Sequence, residues 1–524
     1  MNHIELFAGC GGLCLGLSSV GFKLLMANEL SPMAAETFAF NILNEDLQAK
    51  SHLSTHSLWI SSQFSRKEMI KRLREDPRNY PTDSTANSDL HGDGDNLQGS
   101  LIVGNILALN EWLNDHPKAK EQLASAFGEG EVDLISGGPP CQSFSLAGLR
   151  EKNNEKNSLP WAFAKFADLI KPKIVLLENV TGILRPFTEN GSRYHAWLEV
   201  AKAFAGINYV PLTLHINAKF AGVAQNRPRF ILIGIRKDIF DKLQGTFNSY
   251  EKELFQSASK FFDLVREGET VDENSLTVHD LNSGKNEVFH LFRESFLSAL
   301  CVCQTRFVSV YEAIDDLNGE GKSPSKYVKN LNRIFNKELA PNKDLDWSHR
   351  ITINQPRVRR RFRIYQVMSL LSQSARRDIG KVLSGKAFDV SDEVWNEVKS
   401  HWFLSDDEDE QKILFSSKQQ FLSYLFLHLT KKQTQRALIS VDPAPAALSI
   451  PDDACHYDDL RTLTAREMAR IQSFPDRFVF RSKMTTGGQS RRFEVPIYTQ
   501  IGNAVPVLLG RALGLCVKNL LDRL

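Results

Sequence analysis

Short apolar runs alternate with helical stretches over the first 236 residues of this chain. Each run is bounded by glycine, proline or polar residues, which is typical of buried strands. Strands that alternate with helices favour a mostly parallel sheet with helices on both faces. We therefore predict an α/β fold with strands at His3–Phe7, Leu24–Asn28, Leu101–Val103, Asp133–Ser136, Ile174–Leu177, Tyr209–Ile216 and Phe230–Ile235.

Two regions interrupt this pattern. Residues 44–100 are polar and rich in Ser, Asn and Asp, with one helical stretch near Lys67–Glu75, and Asp83–Gly99 is typical of a loop or a disordered segment. From residue 237 to about 457 the alternation is lost, and longer helical patterns such as Ile413–Leu429 take its place. We interpret this second region as a separate domain.

Regular patterns return in residues 458–524. Thr464 and Glu467 have the spacing of a capping box at the start of a helix. The closing stretch, Val505–Leu524, is apolar at helical spacing, and we expect it to pack on the first domain.

The first predicted strand leads into a glycine turn, Gly9–Gly12, and then into a short helix. Strand, glycine turn and helix form the first unit of a nucleotide-binding α/β sheet, because glycine lets the backbone approach a ligand closely. A dinucleotide fingerprint would need a third glycine where Cys14 stands, so a dinucleotide oxidoreductase is disfavoured.

A second loop, Gly137–Ser145, follows a buried strand. Its glycines and prolines restrict the backbone, and a single cysteine, Cys141, stands at its tip. Such a loop can hold a nucleophile at the carboxyl edge of a sheet, where the ligands of open α/β folds bind. The alternative is a proline–glycine turn with an incidental cysteine.

Both loops resemble known motifs. Phe7–Gly12 and Pro139–Gln142 are similar to the first and fourth motifs of the DNA (cytosine-5)-methyltransferases of bacterial restriction–modification systems. Further matches follow in the family's order at Glu178–Val180, Gln225–Arg229, Arg461–Glu467, Gln472–Pro475 and Tyr498–Pro506. The resemblance implies an S-adenosylmethionine-dependent, Rossmann-like mixed sheet with helices on both faces. It also implies a catalytic domain in two segments, residues 1–236 and 458–524, with a target-recognition domain at 237–457 inserted between them.

Cytosine C5 is a poor nucleophile, so methylation there requires activation of the ring. A thiolate that adds to the neighbouring C6 makes C5 electron-rich enough to take a methyl group from a sulfonium, and Cys141 is the candidate nucleophile. Glu178 is the candidate for ring N3 and the exocyclic amino group, because a carboxyl in a dry pocket can hold a proton and donate it. By resemblance, Arg229 should contact cytosine O2. Arg227 should brace the Cys141 loop, and Gln225 should support the same site. Without the resemblance, Glu178 would be interpreted as a strand-end acid and the arginines as a surface pair.

For the methyl donor, the resemblance implies S-adenosylmethionine. Phe7 should pack against its adenine, and the carboxylate of Glu29 should accept both ribose hydroxyls. The other residues expected to line the cofactor site are Ala8, Gly9, Gly11, Gly12, Ile106, Pro140, Leu159, Asn503 and Val505. The chain departs from the family at Asn105, where an aspartate usually accepts from the adenine amino group, so we expect weaker cofactor affinity. The motif that should precede Leu159 also matches poorly.

The net charge of +2 does not by itself indicate a nucleic-acid partner, and its distribution is more informative. Lys and Arg greatly outnumber acids between Lys322 and Arg377, with aromatic residues among them, which is the pattern of either a polyanion-binding surface or a solvated basic face. A duplex hides C5 and C6 in its stack, so the target base must leave the helix, and the polar loop after Cys141 could close over the gap. The residues predicted to contact DNA are Gln142, Ser145, Arg357, Arg359, Arg360, Arg361 and Arg363.

Together these patterns predict an enzyme that methylates C5 of a flipped-out cytosine in a short duplex DNA sequence. We expect it to be the modification half of a restriction–modification pair, with a possible cognate endonuclease. Two alternatives stay open. An RNA cytosine methyltransferase of the same family is disfavoured by the large inserted domain, and a catalytically silent DNA-binding module is disfavoured by the presence of Cys141 and Glu178.

Composition narrows the setting. No apolar run approaches the roughly 20 residues of a membrane span, and no secretory signal opens the sequence. The seven cysteines include no metal-type pair, so we expect a reducing compartment and no metal. We therefore predict a cytoplasmic, nucleoid-associated protein that is a monomer and has no membrane partner.

Overall fold

The computed structural model describes residues 1–49, 56–83, 85–140, 159–189, 192–319, 321–339, 347–407, 409–432, 435–446 and 450–524. Its strands are β1 (Asn2–Leu6), β2 (Lys23–Glu29), β3 (Ser57–Trp59), β4 (Ser100–Val103), β5 (Leu134–Gly137), β6 (Ile174–Val180), β7 (Phe187–Glu189), β8 (Ser192–Tyr194), β9 (Tyr209–Asn217), β10 (Gln225–Asn226), β11 (Pro228–Arg236), β12 (Val278–Asp280), β13 (Phe403–Leu404), β14 (Lys412–Ile413), β15 (Arg436–Ala437), β16 (Ala444–Pro445) and β17 (Ala454–Cys455).

Within these ranges a nine-stranded sheet forms the centre of the molecule, in the order β12-β9-β11-β6-β5-β1-β2-β4-β3. Neighbouring strands pair in parallel except at β11, which is antiparallel to both β6 and β9. The predicted α/β fold with a mixed sheet is confirmed, as are all the strands predicted from the sequence. No sequence pattern indicated β3 or β12, because each has three residues, too few to show a period, and each lies at an edge of the sheet.

The α-helices are α1 (Gly12–Ser18), α2 (Pro32–Phe38), α3 (Met69–Arg72), α4 (Ile106–Asp115), α5 (Pro117–Ala124), α6 (Leu159–Ile170), α7 (Ala196–Gly206), α8 (Lys237–Gln244), α9 (Ser249–Glu267), α10 (Asn286–Arg293), α11 (Val310–Ile314), α12 (Lys326–Phe335), α13 (Pro356–Leu370), α14 (Gln373–Leu383), α15 (Asp392–Val398), α16 (Lys418–Leu427), α17 (Ala465–Ile471), α18 (Ile497–Asn503) and α19 (Val507–Leu521). They cover both faces of the sheet, because alternate residues of a strand point to opposite sides. On β4, Leu101 belongs to the core that contains Phe38 of α2, whereas Ile102 belongs to the core that contains Leu109 of α4.

The last helix packs directly on the first. A Cβ on Gly16 of α1 would lie 2.6 Å from the backbone nitrogen of Arg511 in α19, so this contact requires glycine. The capping box predicted at Thr464 and Glu467 is confirmed at the start of α17. No single described helix is long and apolar enough to cross a membrane, although the bent pair Gly488–Asn503 and Val507–Leu521 passes that test when taken together.

Residues 44–100 form a polar insert, which is organised around a buried ion pair. Arg72 is fully buried, and it donates from Nη1 to Asp89 Oδ2 at 2.5 Å and from Nε to Phe64 O at 2.8 Å. The same carboxylate accepts from Trp59 N at 3.0 Å. These partners are needed because a buried charge without compensation costs about 3–5 kcal/mol. Of the two interpretations of Asp83–Gly99, the loop is therefore the one that fits the residues described there.

The region after β11 contributes to three hydrophobic cores. Residues 237–301 share the core of the central sheet, and β12 pairs with β9. Residues 310–339 share a second core with α17 and α18, and helices α13 to α16 form a third with each other. The catalytic sheet thus continues past residue 236, and the division of the chain into domains stays a prediction.

Candidate active site

A buried ion pair lies at the carboxyl end of β6. Glu178 is on β6 and Arg229 is on the neighbouring antiparallel strand β11, with Arg229 Nε 2.6 Å from Glu178 Oε1. Arg229 also donates from Nη1 to Pro228 O at 2.8 Å. The edge of the sheet therefore presents an anionic and a cationic group side by side, which suits a ligand with both donor and acceptor atoms on one edge.

The loop after β5 begins against this acid. A Cβ at Gly138 would lie 3.0 Å from Glu178 Oε2, so any larger residue would press on the carboxylate. Asn179 Nδ2 donates to Pro139 O at 3.1 Å and holds the loop from the other side. These contacts bring the start of the predicted nucleophile loop to Glu178. Cys141, Gln142 and Ser145 lie outside the described residues, and their roles stay predictions.

Arg227 is buried and joins the sheet to the C-terminal segment. Its Nη2 donates to Gly502 O and to Ala504 O, each at 3.0 Å. Burial, followed by the neighbouring positive charge of Arg229, lowers the pKa of Arg227 well below its usual range. These contacts brace the C-terminal segment, whereas the predicted brace of the Cys141 loop falls outside the described residues.

Gln225 is fully buried where the chain of the central sheet meets residues 237–457. Its strand β10 pairs in parallel with β16, and neither atom of its amide hydrogen-bonds a described residue. The predicted support of the catalytic site by Gln225 stays a prediction.

The turn after β1 adopts left-handed backbone geometry. Phe7, Gly9 and Gly11 have φ angles of 54°, 56° and 96°. Left-handed geometry at Phe7 costs on the order of 1–3 kcal/mol and concentrates at functional sites. Ala8 in this turn is buried. A Cβ on Gly12 would lie 2.5 Å from the Val505 carbonyl oxygen, so the turn also touches the C-terminal segment.

Glu29 ends β2 with its carboxylate beside this turn. Oε2 accepts from Gly9 N and Oε1 accepts from Ser31 N, each at 2.8 Å. Burial raises the pKa of the Glu29 carboxyl, and these two amides partly offset the shift. Each oxygen keeps a lone pair, so the fixed carboxylate can accept two further hydroxyls, the role predicted for it.

Asn105 begins α4 at the end of β4. Its Oδ1 accepts from Leu107 N at 2.9 Å as the helix N-cap, while Ile106 is buried. Asn28 Nδ2 donates to Gly104 O at 3.1 Å and fixes the preceding turn. The amide oxygen of Asn105 therefore already accepts one hydrogen bond before any ligand binds.

Three other predicted cofactor residues are partly or fully exposed. Pro140 is exposed, Leu159 is half-buried at the start of α6, and Asn503 is exposed at the end of α18. Asn503 lies between the two carbonyls that Arg227 holds. Their contacts with a cofactor stay predictions.

The basic helix α13 uses several of its arginines inside the protein. Arg360 is buried, pairs with Asp406 at 2.6 Å between Nη1 and Oδ1, and donates to the Asp407 carbonyl. Arg359 pairs with Glu410. Asp406 and Glu410 thus neutralise part of the helix that was expected to contact DNA.

The remaining arginines of α13 differ in exposure. Arg363 is buried, lies 3.5 Å over the Trp402 ring and donates to the carbonyl of the same residue. Contact with DNA therefore does not fit Arg360 or Arg363. Arg361 is half-buried, and Arg357 is exposed and donates to Leu427 O at 3.0 Å.

Sequence reasoning assigned no role to three buried amides, Asn28, Asn179 and Gln500. Gln500 Oε1 accepts from Thr37 Oγ1 at 2.7 Å, and its Nε2 donates to the carbonyls of Met33, Arg481 and Val495. It fastens α2 to the C-terminal segment. The available signal was a polar residue inside an otherwise apolar strand or motif.

A carboxylate fixed at the end of β2 suits a ribose, and the glycine turn beside it brings backbone close to the rest of a nucleoside ligand. A sheet of this order with such a site is a Rossmann-like α/β fold. The chain belongs to the C-5 cytosine-specific DNA methylase family, whose model matches residues 1–63 and 105–519.

Two relatives and one solved structure illustrate what this chain is similar to. Type II methyltransferase M.DdeI of Desulfomicrobium norvegicum is 25% identical over 98% of this chain and 87% of its own length. Type II methyltransferase M.Eco47II of Escherichia coli is 23% identical over 99% of this chain and 79% of its own. Among solved structures, a putative DNA modification methyltransferase encoded within an E. coli prophage is 19% identical and covers 100% of this chain and 99% of its own, with a TM-score of 0.45.

Proposed function

We propose that this enzyme transfers the methyl group of S-adenosylmethionine to C5 of a flipped-out cytosine in a short duplex sequence, through a covalent bond between Cys141 Sγ and C6. The observation that carries the proposal is the buried Glu178–Arg229 pair, which lies against the first residues of the Cys141 loop.

The pair matches the pairing edge of cytosine. Arg229 can donate to O2, and the carboxylate of Glu178 can accept from the exocyclic amino group. A proton on the second oxygen of Glu178 can then be donated to N3. Uracil offers a carbonyl oxygen where cytosine has the amino group, so the same pair would disfavour it.

The proposed chemistry begins with the bond between Cys141 Sγ and C6. The electron pair displaced from the ring moves to C5, while Glu178 stabilises the charge at N3. C5 would then bond to the methyl carbon as the carbon–sulfur bond of the sulfonium breaks and S-adenosylhomocysteine leaves. Loss of the C5 proton to water and cleavage of the Sγ–C6 bond then restore both the ring and the thiolate.

The residues around the glycine turn fit the methyl donor. Glu29 would hold the ribose hydroxyls, and the turn from Phe7 to Gly12 would lie along the rest of the molecule. When bound, the donor supplies an electrophilic methyl group on a sulfonium. Arg227 would keep the C-terminal wall of this site closed through its bonds to Gly502 and Ala504.

Target recognition is proposed to reside in the unit formed by α13 to α16, because it has a hydrophobic core of its own. The named relatives are Type II methyltransferases, which supports a role in restriction and modification. We extend the proposal to a monomer that acts on nucleoid DNA in the cytoplasm, with a cognate endonuclease as a possible partner.

The test is covalent trapping at the enzyme's own site. Bisulfite sequencing of DNA from an expressing host first identifies the methylated sequence. A duplex with 5-fluorocytosine at that position cannot lose the C5 substituent as a proton, so the protein and S-adenosylmethionine should form a stable adduct. Cys141→Ala should form none and should still bind S-adenosylhomocysteine.

Two outcomes would contradict the proposal. An active enzyme whose adduct does not involve Cys141 would exclude the sulfur step. Methyl transfer to transfer RNA but not to duplex DNA, measured with a labelled donor, would replace DNA as the substrate.

A further inference from the structure

Most of the insert lies outside the match to the family model, which covers residues 1–63 and resumes at residue 105. β3 (Ser57–Trp59) lies within that match and pairs with β4 at the edge of the sheet, and the buried pair of Arg72 and Asp89 holds the following part of the insert together. Because this pair is fixed by Trp59 N and Phe64 O as well, the insert offers a firm surface to whatever lies beside it.

That surface adjoins the strand ends that carry the predicted cofactor residues. Ile60 N donates to Val103 O at 3.1 Å, and a Cβ on Gly104 would lie 2.2 Å from Ile60 Cγ2. The insert therefore presses against the turn that precedes Asn105. The Ser61 hydroxyl donates to the Pro81 carbonyl, which brings the following part of the insert to the same place.

Tyr80 stands at this point, next to the residue that follows Glu29. Its hydroxyl donates to Leu30 O at 3.4 Å, and its ring packs in the core that includes Ala8 and Trp59. Burial raises the pKa of Tyr80, and the negative charges of Glu75 and Glu29 add to the effect. The phenol is therefore uncharged, and it lies close enough to the Glu29 carboxylate to interact with it electrostatically.

The insert also contacts the C-terminal segment. The Arg78 guanidinium lies 4.4 Å over the ring of Phe493, in the segment that leads into α18 and Asn503. Residues 77–80 therefore connect the end of β2 with the C-terminal segment.

We propose that the insert forms an outer wall of the methyl-donor site, with Tyr80 as a specificity-determining residue that contacts the adenosine part of the ligand. This inference rests on the proposed function. A tyrosine offers an apolar ring and one hydroxyl, which suits a nucleoside. A further contact to the adenosine would help this protein, because Asn105 is uncharged and its amide oxygen already accepts from Leu107 N.

The test is calorimetric binding of S-adenosylhomocysteine and of 5′-methylthioadenosine, which lacks the amino-acid part. Tyr80→Ala should weaken both by a similar factor of roughly 3–10, the size of a lost aromatic contact. Tyr80→Phe, which keeps the ring, should stay close to the unaltered protein. Tyr311→Ala, at a tyrosine that is 52% exposed on α11, is the matched control and should change neither affinity.

The outcomes separate the two proposals. If the unaltered protein binds neither ligand, the cofactor assignment fails. If it binds both and Tyr80→Ala binds them as tightly as Tyr311→Ala does, the wall is wrong and the cofactor assignment stands. A loss confined to S-adenosylhomocysteine would also overturn the adenosine contact. Should Tyr80→Ala not fold, Tyr80→Leu, which keeps apolar bulk without the ring, decides in the same way.

Discussion

Arginine–carboxylate pairs occur at two places in this molecule with opposite consequences. Arg229 and Glu178 come from adjacent strands, and their pair lies against Gly138, at the start of the loop that follows β5. Arg360 and Asp406 are 46 positions apart, and their pair holds one helix against a neighbouring segment. The first pair is held by sheet register and is proposed to bind a ligand, whereas the second removes a cation from the surface. Charge clustering in a sequence therefore marks a binding surface only where no distant segment supplies the opposite charge.

The largest effect is expected at the first pair. Glu178→Gln keeps the shape of the side chain and removes its ability to carry a proton to N3, so single-turnover methyl transfer should fall by about 100-fold or more. The free energy of unfolding should also fall, because Arg229 loses the charge of its buried partner, whereas binding of S-adenosylhomocysteine should change little.

Glu129→Gln is the matched control, because Glu129 forms an exposed pair with Lys23 far from the site. It should leave the rate unchanged. A Glu178→Gln enzyme with more than a tenth of the original rate would mean that this carboxyl is not the proton donor.

The second pair should affect stability instead. Arg360→Leu removes a buried guanidinium and leaves Asp406 and the Asp407 carbonyl without their partner, so the free energy of unfolding should fall by about 1–3 kcal/mol. The dependence of DNA affinity on salt should not change, because this cation is not available to phosphate. Urea unfolding and DNA binding at several salt concentrations measure the two quantities.

Arg357→Gln provides the opposite case on the same helix, since Arg357 is exposed. If it contacts phosphate, the slope of log affinity against log salt should fall by about 1 while stability stays the same. A loss of salt dependence at Arg360 would remove the contrast between the two regions.

The same contrast explains what the sequence could predict. Short apolar runs located every strand long enough to show a pattern, and motif order placed Glu178 at the end of one strand and Arg229 at the start of another. Only the structure shows that these two strands are neighbours. The helix predicted at Ile413–Leu429 is only partly present, because α16 begins at Lys418 after a short strand. Local periodicity does not report such tertiary pairing.

The sequence also could not predict contacts between residues that lie far apart in the chain. Nothing near Arg72 indicates that Asp89 will neutralise it, and nothing near Gln500 indicates its bond to Thr37. The ends of short edge strands and the acceptors of buried side chains are decided by the folded surroundings, so only the structure could supply them.

Buried histidines in the same two parts of the molecule make its stability depend on pH. His3 on β1 is fully buried without a described hydrogen-bond partner, and burial lowers its pKa from 6.5 to about 3. Between about pH 3 and pH 6.5, the unfolded chain therefore binds a proton at this histidine and the folded chain does not. Stability should fall as the pH drops from about 6.5 toward 3, by at most about 1.4 kcal/mol per pH unit from this group.

His3→Phe, which keeps the edge contact with the Phe22 ring, should flatten this slope in urea unfolding measured across pH. His428, in the region of α16, offers the comparison. Burial lowers the pKa of His428 as well, but its Nδ1–H donates to Tyr424 O at 2.8 Å and opposes the shift. Its replacement should change the slope less, and an equal change would show that the bond has no such effect.

The smallest expected effect concerns the departure from the family at Asn105. Asn105→Asp keeps an N-cap oxygen for Leu107 N and adds a charge at the start of α4, which the helix dipole favours. If this residue accepts from the adenine amino group, a charged acceptor should tighten S-adenosylhomocysteine binding by about 3–10-fold, the difference between a neutral and a charge-assisted hydrogen bond. Asn248→Asp makes the same change at the N-cap of α9, away from the site, and should leave the affinity as it is. Because both variants alter a helix cap in the same way, a gain in the first alone locates the effect at the ligand, and equal affinities would remove Asn105 from the cofactor site.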